Sequence, residues 1–194
     1  MTPILLTALT LPGPTAEWST LTKSPSHVEC TEAEPVFCRS TAVFQATQAK
    51  LTATLGDMPK HKDGFESIVE LHELEPNLLH VVMDFPSPLA DRDYVARYTQ
   101  SQGPNGATVI SWAPVTHPSA PQTEERVRLN EFSGSWTLAG QPDGNTVVTY
   151  LWHASYGGSL PSWALNTARK KTGAEALKDL ANAAGGISWS APPR

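Results

Sequence analysis

Residues 161–186 read PSWALNTARKKTGAEALKDLANAAGG. Pro161 suits the first turn of a helix, Ser159 is the candidate N-cap, and Gly185-Gly186 suits the end. Apolar residues recur at helical spacing, and charged residues fall mostly on the other side. The apolar set is Leu165, Ala168, Ala176, Leu177, Leu180 and Ala184, and the charged set is Arg169, Lys170, Glu175, Lys178 and Asp179. The segment predicts one long amphipathic helix.

The residues before this helix predict mainly β-strands. A hairpin is expected over 26–44, then a short helix over 47–55 that Gly56-Asp57 stops, with a further helical turn within 58–64. Later strands are bounded by Gly- and Pro-rich turns and are expected at 67–74, 79–85, 93–98, 107–113, 125–132, 135–139 and 146–153. This order predicts an α+β fold, in which a curved antiparallel sheet wraps around the long C-terminal helix, with two short helices after the first strands. A bent sheet under one long helix leaves room between them, and that room is the expected site.

Composition narrows the classes of function. The chain has 194 residues, 40% hydrophobic and 17% charged, which predicts one globular domain. The net charge is −5 and the longest basic run is the three residues Arg169-Lys170-Lys171, which argues against a nucleic-acid partner. Six tryptophans are many for this length, and such rings line either a core or a pocket for a bulky apolar ligand. We expect Trp112 and Trp152 to belong to the core.

The first 16 residues are interpreted as the remnant of a secretory signal. Ile4 to Leu11 is an apolar run, and Pro12-Gly13-Pro14-Thr15-Ala16 after it resembles a cleavage region. The alternative is an ordinary N-terminal strand.

The two cysteines, Cys30 and Cys38, flank a turn-like stretch. A hairpin centred near Glu34 would place their sulfurs opposite each other and allow a disulfide, whereas the alternative is two unrelated buried thiols. A disulfide implies an oxidising compartment. Together with the signal interpretation, this favours a periplasmic or secreted protein, with a cytoplasmic location as the alternative.

Several stretches resemble the START (steroidogenic acute regulatory protein-related lipid transfer) family, within the helix-grip or Bet v 1-like superfamily, and specifically a bacterial exported member. The first is Pro88-Leu89-Ala90-Asp91-Arg92-Asp93-Tyr94-Val95, which is similar to the family's arginine-aspartate-aromatic signature. The others, in family order, are Val115-Thr116-His117-Pro118, Arg126-Val127-Arg128, Gly134 to Leu138, Thr146 to Tyr150, and Gly157 to Asn166. The resemblance covers roughly residues 18–185. We therefore assign residues 17–187 to a START-like domain and 188–194 to a C-terminal tail.

The resemblance implies an internal tunnel for one sterol, phospholipid or fatty acid. Its lid loop would include Pro86, Pro88 and Leu89, while Arg92 and Asp93 would tie that loop to the sheet. The ligand-binding residues it implies are Arg97, Thr149, Leu151, Trp163, Asn166, Val81 and Met83. Arg97 takes the place of the family's buried arginine, and strand alternation sets it beside Val95 and Thr99.

Some of these assignments have alternatives. Arg97 could be a surface arginine on an edge strand. Family members often pair the buried arginine with an acid on the preceding strand, and here the only nearby acid, Asp84, points away from the face expected to carry Val81 and Met83. Trp163 could face the tunnel mouth or a membrane surface, and Asn166 could be a solvated helix residue.

The predicted function is a non-catalytic carrier or sensor of a lipid or sterol-like ligand. It would act without a cofactor or metal, as a monomer, with transient contact to a membrane surface and no nucleic-acid partner. The alternative from another class is a cyclase or hydratase that uses a cavity acid or a histidine, His80 or His153, and a His–Asp pair would favour it. A third alternative is an interaction module with a filled core.

Overall fold

The computed structural model describes residues 4–5, 11–13, 15–23, 26–57, 60–85, 90–155 and 162–192, with the backbone alone for 4–5 and 162–164. The chain forms strands β1 (Ile4–Leu5), β2 (Trp18–Thr22), β3 (His27–Thr31), β4 (Cys38–Phe44), β5 (Ile68–Glu75), β6 (Leu78–Met83), β7 (Arg92–Gln102), β8 (Thr108–Thr116), β9 (Val127–Arg128), β10 (Phe132–Gly140), β11 (Thr146–Ala154) and β12 (Trp189–Ser190). Its helices are α1 (Gln48–Gly56), α2 (His61–Gly64) and α3 (Ser162–Ala183).

Nine strands form one sheet in the order β2-β3-β4-β11-β10-β8-β7-β6-β5, and all of these neighbours are antiparallel. The two-residue strands β1, β12 and β9 pair with β8, β4 and β7, and the last of these pairs is parallel. Thr47 caps α1, and α3 is the long final helix. The expected α+β class, the antiparallel sheet and the order of the helices are therefore confirmed. None of the helices described is long and apolar enough to cross a membrane.

The main core lies between α3 and one face of the sheet, which we call the inner face. The helix contributes Leu177, Leu180 and Ala181, and the sheet contributes alternate residues of its central strands. These inner-face residues include Phe44, Leu79, Val81, Ile110, Trp136, Leu138 and Val148. Because strand side chains alternate, residues one position away lie on the opposite, outer face.

Cys30 and Cys38 are joined by a disulfide, which confirms that prediction. The two residues are direct partners in the β3–β4 register, where opposite side chains are close enough to bridge. The bridge belongs to a small buried cluster with Val28 and Trp152 at this end of the sheet.

Buried ion pairs attach the connection between β8 and β9 to the outer face. Arg128 donates from Nε and Nη2 to the two carboxylate oxygens of Asp93, at 2.9 and 2.6 Å, and also donates to the carbonyl of Ala120. His80 Nε2 lies 2.7 Å from Asp93 Oδ2. Burial alone would raise the pKa of the Asp93 carboxyl, but the hydrogen bonds from Arg128 and His80 outweigh it and hold that pKa below its ordinary value.

The structure corrects three local expectations. The strand predicted at 125–132 is only the two-residue β9, because backbone bonds from Val127 to Asp91 and from Leu129 to Asp93 fix this segment beside the start of β7. The proposed tail at 188–194 contains β12, where Trp189 stacks on Phe44. Asp179, predicted on the polar side of α3, is buried.

At the N-terminus, Ile4 and Leu5 pair with Thr116 and Val115 of β8. This pairing agrees with the alternative of an N-terminal strand, and the signal interpretation remains a prediction.

Candidate functional site

A continuous group of aromatic rings lies on the inner face of β7, β8, β10 and β11. Tyr98 is 6.0 Å from Trp112, which is 5.7 Å from Tyr150, and Tyr150 lies 4.3 Å from Trp136 and 4.9 Å from Trp152, between ring centroids. We call these five residues the aromatic wall.

The strand register explains why the rings meet. Tyr98 is the direct partner of Trp112, and Trp136 is the direct partner of Tyr150. The ring of Trp112 can lie across β10 because the residue opposite is Gly134, where an added Cβ would be 2.3 Å from Trp112 Cζ2.

Two tyrosines of β7, Tyr94 and Tyr98, lie on the inner face with part of their surface accessible. Burial raises the pKa of Tyr94 and raises that of Tyr98 well above its ordinary value. Nevertheless both side chains are only partly buried, as are Trp112, Tyr150 and Met83 on the same face. Partly buried aromatic side chains on the face that meets α3 are the ones expected to line a ligand-binding space between sheet and helix. We call this space the hollow.

Helix α3 packs closely over one side of the sheet. An added Cβ at Gly173 would lie 2.7 Å from Trp152 Cη2 and 3.0 Å from Val28 Cγ2, so only glycine permits this approach. Among residues 165–183 of α3, every fully buried residue lies from Gly173 onward, and none is fully buried between Leu165 and Thr172. The C-terminal half of the helix is therefore anchored in the core, and residues 165–172 are held less extensively.

A charged side chain is buried on the inner face, at the end of the sheet near Phe85. Arg92 is the direct partner of Met83 and is only 4% exposed. Its guanidinium lies 4.3 Å from the centroid of the Phe85 ring, and Nη1 donates to the carbonyl of Ala90. Burial lowers the pKa of Arg92, and the nearby charge of Asp91 only partly offsets this.

Of the predicted ligand-binding residues, Val81 and Met83 lie on the inner face, where Val81 is fully buried and Met83 is partly buried. Their role in ligand binding remains a prediction.

Arg97 does not lie on the inner face, which corrects its assignment to the cavity. In the β6–β7 register Val81 is opposite Tyr94, so the even-numbered residues of this part of β7 face α3 and Arg97 faces outward. There its Nη2 donates to Glu75 Oε2 at 2.8 Å, which supplies the acidic partner that the sequence did not reveal.

The assignment of Thr149, Leu151 and Asn166 as ligand-binding residues is also corrected. Thr149 and Leu151 alternate with the inner-face residue Tyr150, and the Thr149 hydroxyl lies 3.4 Å from that of Thr41 on the outer face. Asn166 is exposed, as the alternative for this residue held.

The side chain of Trp163 and the proposed lid residues Pro86, Pro88 and Leu89 lie outside the part of the chain that is described. Tyr94, Tyr98 and Tyr150 were not predicted as inner-face residues. The alternation of β7 indicates Tyr94 and Tyr98 when it is counted from Tyr94 instead of Arg97, and that of β11 indicates Tyr150 when it is counted from Tyr150 instead of Thr149.

Both histidines named for an enzymatic alternative lie on the outer face. A His–Asp pair does exist between His80 and Asp93, but Arg128 already occupies both oxygens of that carboxylate, so the pair holds the β8–β9 connection in place. His153 Nδ1 bonds to the carbonyl of Val36 at 2.8 Å. Within the described ranges no group of three or more His, Cys, Asp or Glu side chains could hold a metal ion.

Comparison with known proteins agrees with this architecture. Residues 17–186 match the START domain model. An uncharacterized protein of Pseudomonas aeruginosa is 32% identical over 53% of this chain and 50% of its own length, and the phosphatidylcholine transfer protein of Mus musculus is 26% identical over 70% of this chain and 66% of its own length. The chain thus spans half to two thirds of the length of these curated relatives.

Among solved structures, a STAR-related lipid transfer protein from Xanthomonas axonopodis superposes with a TM-score of 0.73 at 24% identity, covering 86% of this chain and 98% of that one. This likeness concerns the fold, which is the helix-grip fold expected from the sequence. With the family model matching almost all of the chain between β2 and the end of α3, this protein belongs to the START domain family.

Proposed function

We propose that this protein binds one lipid molecule in the hollow between α3 and the inner face, for transport or sensing, and that it has no catalytic activity of its own. The observation that supports this most directly is the group of partly buried rings on the inner face, which comprises Tyr94, Tyr98, Trp112 and Tyr150. Removing apolar surface from water contributes about 25 cal/mol per Å², so a sterol or acyl chain could bind there with few polar contacts. The lipid-transfer names of the matched relatives support the same class of ligand.

A ligand must have a route into the hollow. The less extensively buried N-terminal half of α3 favours opening at that end, while Gly173 and the residues after it keep the helix attached. We propose that this half of α3 and the lid loop with Pro86, Pro88 and Leu89 open during transient contact with a membrane surface, and that the protein acts as a monomer.

We further propose that the protein works in the periplasm or outside the cell. The Cys30–Cys38 disulfide is the support, because such bonds persist in oxidising compartments. Thiol alkylation of protein taken directly from its host tests this: a protein that is fully reduced in the cell would contradict export.

The test of lipid binding is native mass spectrometry of protein purified from its host, followed by extraction and identification of any bound molecule. We expect one lipid per chain, recovered chemically unchanged. A lipid that is converted during incubation would instead support the enzymatic alternative.

A variant that fills the hollow sharpens the test. Met83→Trp adds volume at a partly buried inner-face position, so we expect it to reduce the loaded fraction several-fold. Thr99→Trp, at an exposed position on the outer face of β7, is the matched control and should load like the wild type. Equal loading of the two variants would argue against the hollow as the binding site.

A further inference from the structure

The Cys30–Cys38 disulfide lies where the core meets an exposed turn. Both residues are buried, at 5% and 1% exposure, and Cys38 is the direct partner of the inner-face residue Trp152. The two cysteines form the last register pair of β3 and β4, and residues 32–35 of the turn beyond them are exposed. A reductant therefore reaches the bond when the end of one hairpin opens, without unfolding of the whole sheet.

The same hairpin carries the close contact between α3 and the sheet. Val28 of β3 and Ser40 of β4 are direct partners, two residues along each strand from the disulfide. An added Cβ at Gly173 would lie 3.0 Å from Val28 Cγ2 and 3.2 Å from Ser40 Cβ, in addition to its contact with Trp152. We call Val28, Ser40 and Trp152 the helix seat. Val28, Trp152 and the disulfide belong to one buried cluster, so the disulfide fixes the strands on which α3 rests.

The helix seat contacts α3 at the boundary between its two parts. Gly173 is the first fully buried residue in the described part of the helix, and residues 165–172 before it are less extensively held. These are the residues proposed above to open when a ligand enters or leaves. A loosened seat therefore acts on the helix at the point from which its opening part extends.

Non-covalent contacts keep the hairpin paired when the sulfur–sulfur bond is absent. On the adjacent register pair, Arg39 Nη2 lies 2.7 Å from Glu29 Oε2. In the turn, the backbone N–H of Phe37 donates to Thr31 Oγ1 at 2.9 Å, and the backbone N–H of Thr31 donates to the carbonyl of Phe37 at 2.8 Å. Because these contacts do not involve the sulfur atoms, we expect the reduced protein to remain folded with a looser hairpin.

We propose that the Cys30–Cys38 disulfide is a redox latch for lipid release. The oxidised form holds α3 on the helix seat and retains the lipid, and reduction by a dithiol loosens α3 and speeds release. One thiolate of the dithiol attacks a sulfur of the bond and forms a mixed disulfide, and its second thiol resolves it. Two electrons and two protons pass to the two cysteines, and the dithiol becomes a disulfide. The proposal rests on the proposed function, because it assumes a bound lipid.

Lipid release from the oxidised and reduced protein is the first test. Protein carrying the lipid with which it is purified is mixed with an excess of phosphatidylcholine vesicles, with and without dithiothreitol, and the loaded fraction is followed by native mass spectrometry. A disulfide that closes a short loop commonly favours the closed state by more than about tenfold, so we expect release at least about fivefold faster after reduction. Reoxidation should restore the slow rate.

Amide hydrogen exchange tests the latch without a ligand. In lipid-free protein, we expect reduction to speed exchange in β3, in β4 and in residues 165–172 of α3. Strands β7 and β8, which do not contact the hairpin, are the internal reference and should keep their protection.

A variant without the bond separates the latch from other effects of the reductant. Cys30→Ser/Cys38→Ser should release lipid as fast as the reduced wild type, and dithiothreitol should not change its rate. If this double variant does not fold, the reversible comparison of the reduced and reoxidised wild type decides the question.

The outcomes distinguish the latch from lipid binding. Equal release rates for the oxidised and reduced protein would overturn the proposal. Loss of protection throughout the sheet on reduction would also overturn it, because the disulfide would then only hold the fold together. Protein purified without any lipid would count against the proposed function, whereas the exchange of residues 165–172 would still show whether reduction loosens α3.

Discussion

Asp179 is a buried carboxyl through which the stability of the protein depends on pH. It is a buried carboxyl in the second half of the helix, only 3% exposed, and its Oδ1 has no hydrogen-bond partner. Burial is the main cause that raises its pKa from 3.8 to about 6, and the negative charges of Glu66 and Glu175 add to this, whereas Lys178 opposes it. We predict that Asp179→Asn stabilises the protein at neutral pH.

The magnitude follows from the pKa. Each tenfold change in the acid dissociation constant is worth 1.36 kcal/mol, so a carboxyl at about 6 instead of 3.8 carries a penalty of about 3 kcal/mol once ionised. The folded state holds this proton more tightly than the unfolded state. The penalty is therefore absent below pH 3.8, grows as the pH rises to about 6, and is complete above that. Because the amide must also find partners, we expect a gain of about 1–3 kcal/mol above pH 7.

Urea unfolding of the wild type and Asp179→Asn at pH 8 and pH 4 measures this difference. The variant should unfold at higher urea concentration at pH 8, and the two midpoints should converge at pH 4. Glu124→Gln, at an exposed position, is the control and should stay within about 0.5 kcal/mol of the wild type at both pH values. A variant that is less stable than the wild type at pH 8, or a difference independent of pH, would refute the reasoning.

Two further predictions concern packing and the outer face. Gly173→Ala should lower the free energy of unfolding by about 1–3 kcal/mol, although alanine has the better helix propensity, because the new Cβ would meet Trp152. The control Gly56→Ala, where an added Cβ has no atom within 4 Å, should be neutral, and equal effects of the two variants in urea unfolding would contradict the close approach of α3. Asp93→Asn should cost about 3 kcal/mol at pH 7, because it leaves Arg128 buried without its carboxylate. Since the folded-state pKa of Asp93 lies below its ordinary value of 3.8, this difference should shrink only as the pH falls below 3.8, and a loss that already disappears near pH 6 would show that another group is responsible.

Much of the fold could be predicted from the sequence because its signals are local. The apolar spacing of residues 165–184, the Gly56-Asp57 stop and the turn at 141–145 each act within a few residues, and α3, α1 and the β10–β11 hairpin agree with them. The disulfide was also predictable, since the spacing of Cys30 and Cys38 around a turn suits a cross-strand pair.

The candidate site was harder to predict because it depends on register. The alternation of a strand shows which residues share a face, but not which of the two faces meets the helix. If the alternation is counted from a residue one position away, every side chain is assigned to the opposite face. Arg97 was predicted to face the cavity, whereas the pairing of Val81 with Tyr94 turns Tyr94, Tyr98 and Arg92 inward. The ion pair of Arg97 with Glu75 joins two residues that are 22 positions apart in sequence and lie on different strands, so no local pattern indicates it.

The aromatic wall also provides an intrinsic optical signal. Three of the six tryptophans, Trp112, Trp136 and Trp152, surround Tyr150 where the ligand is proposed to lie. Their emission should respond when a molecule displaces water from the hollow, so loading and release can be followed in real time without attaching a dye. Lipid exchange with vesicles thereby becomes a stopped-flow fluorescence experiment on the unmodified protein.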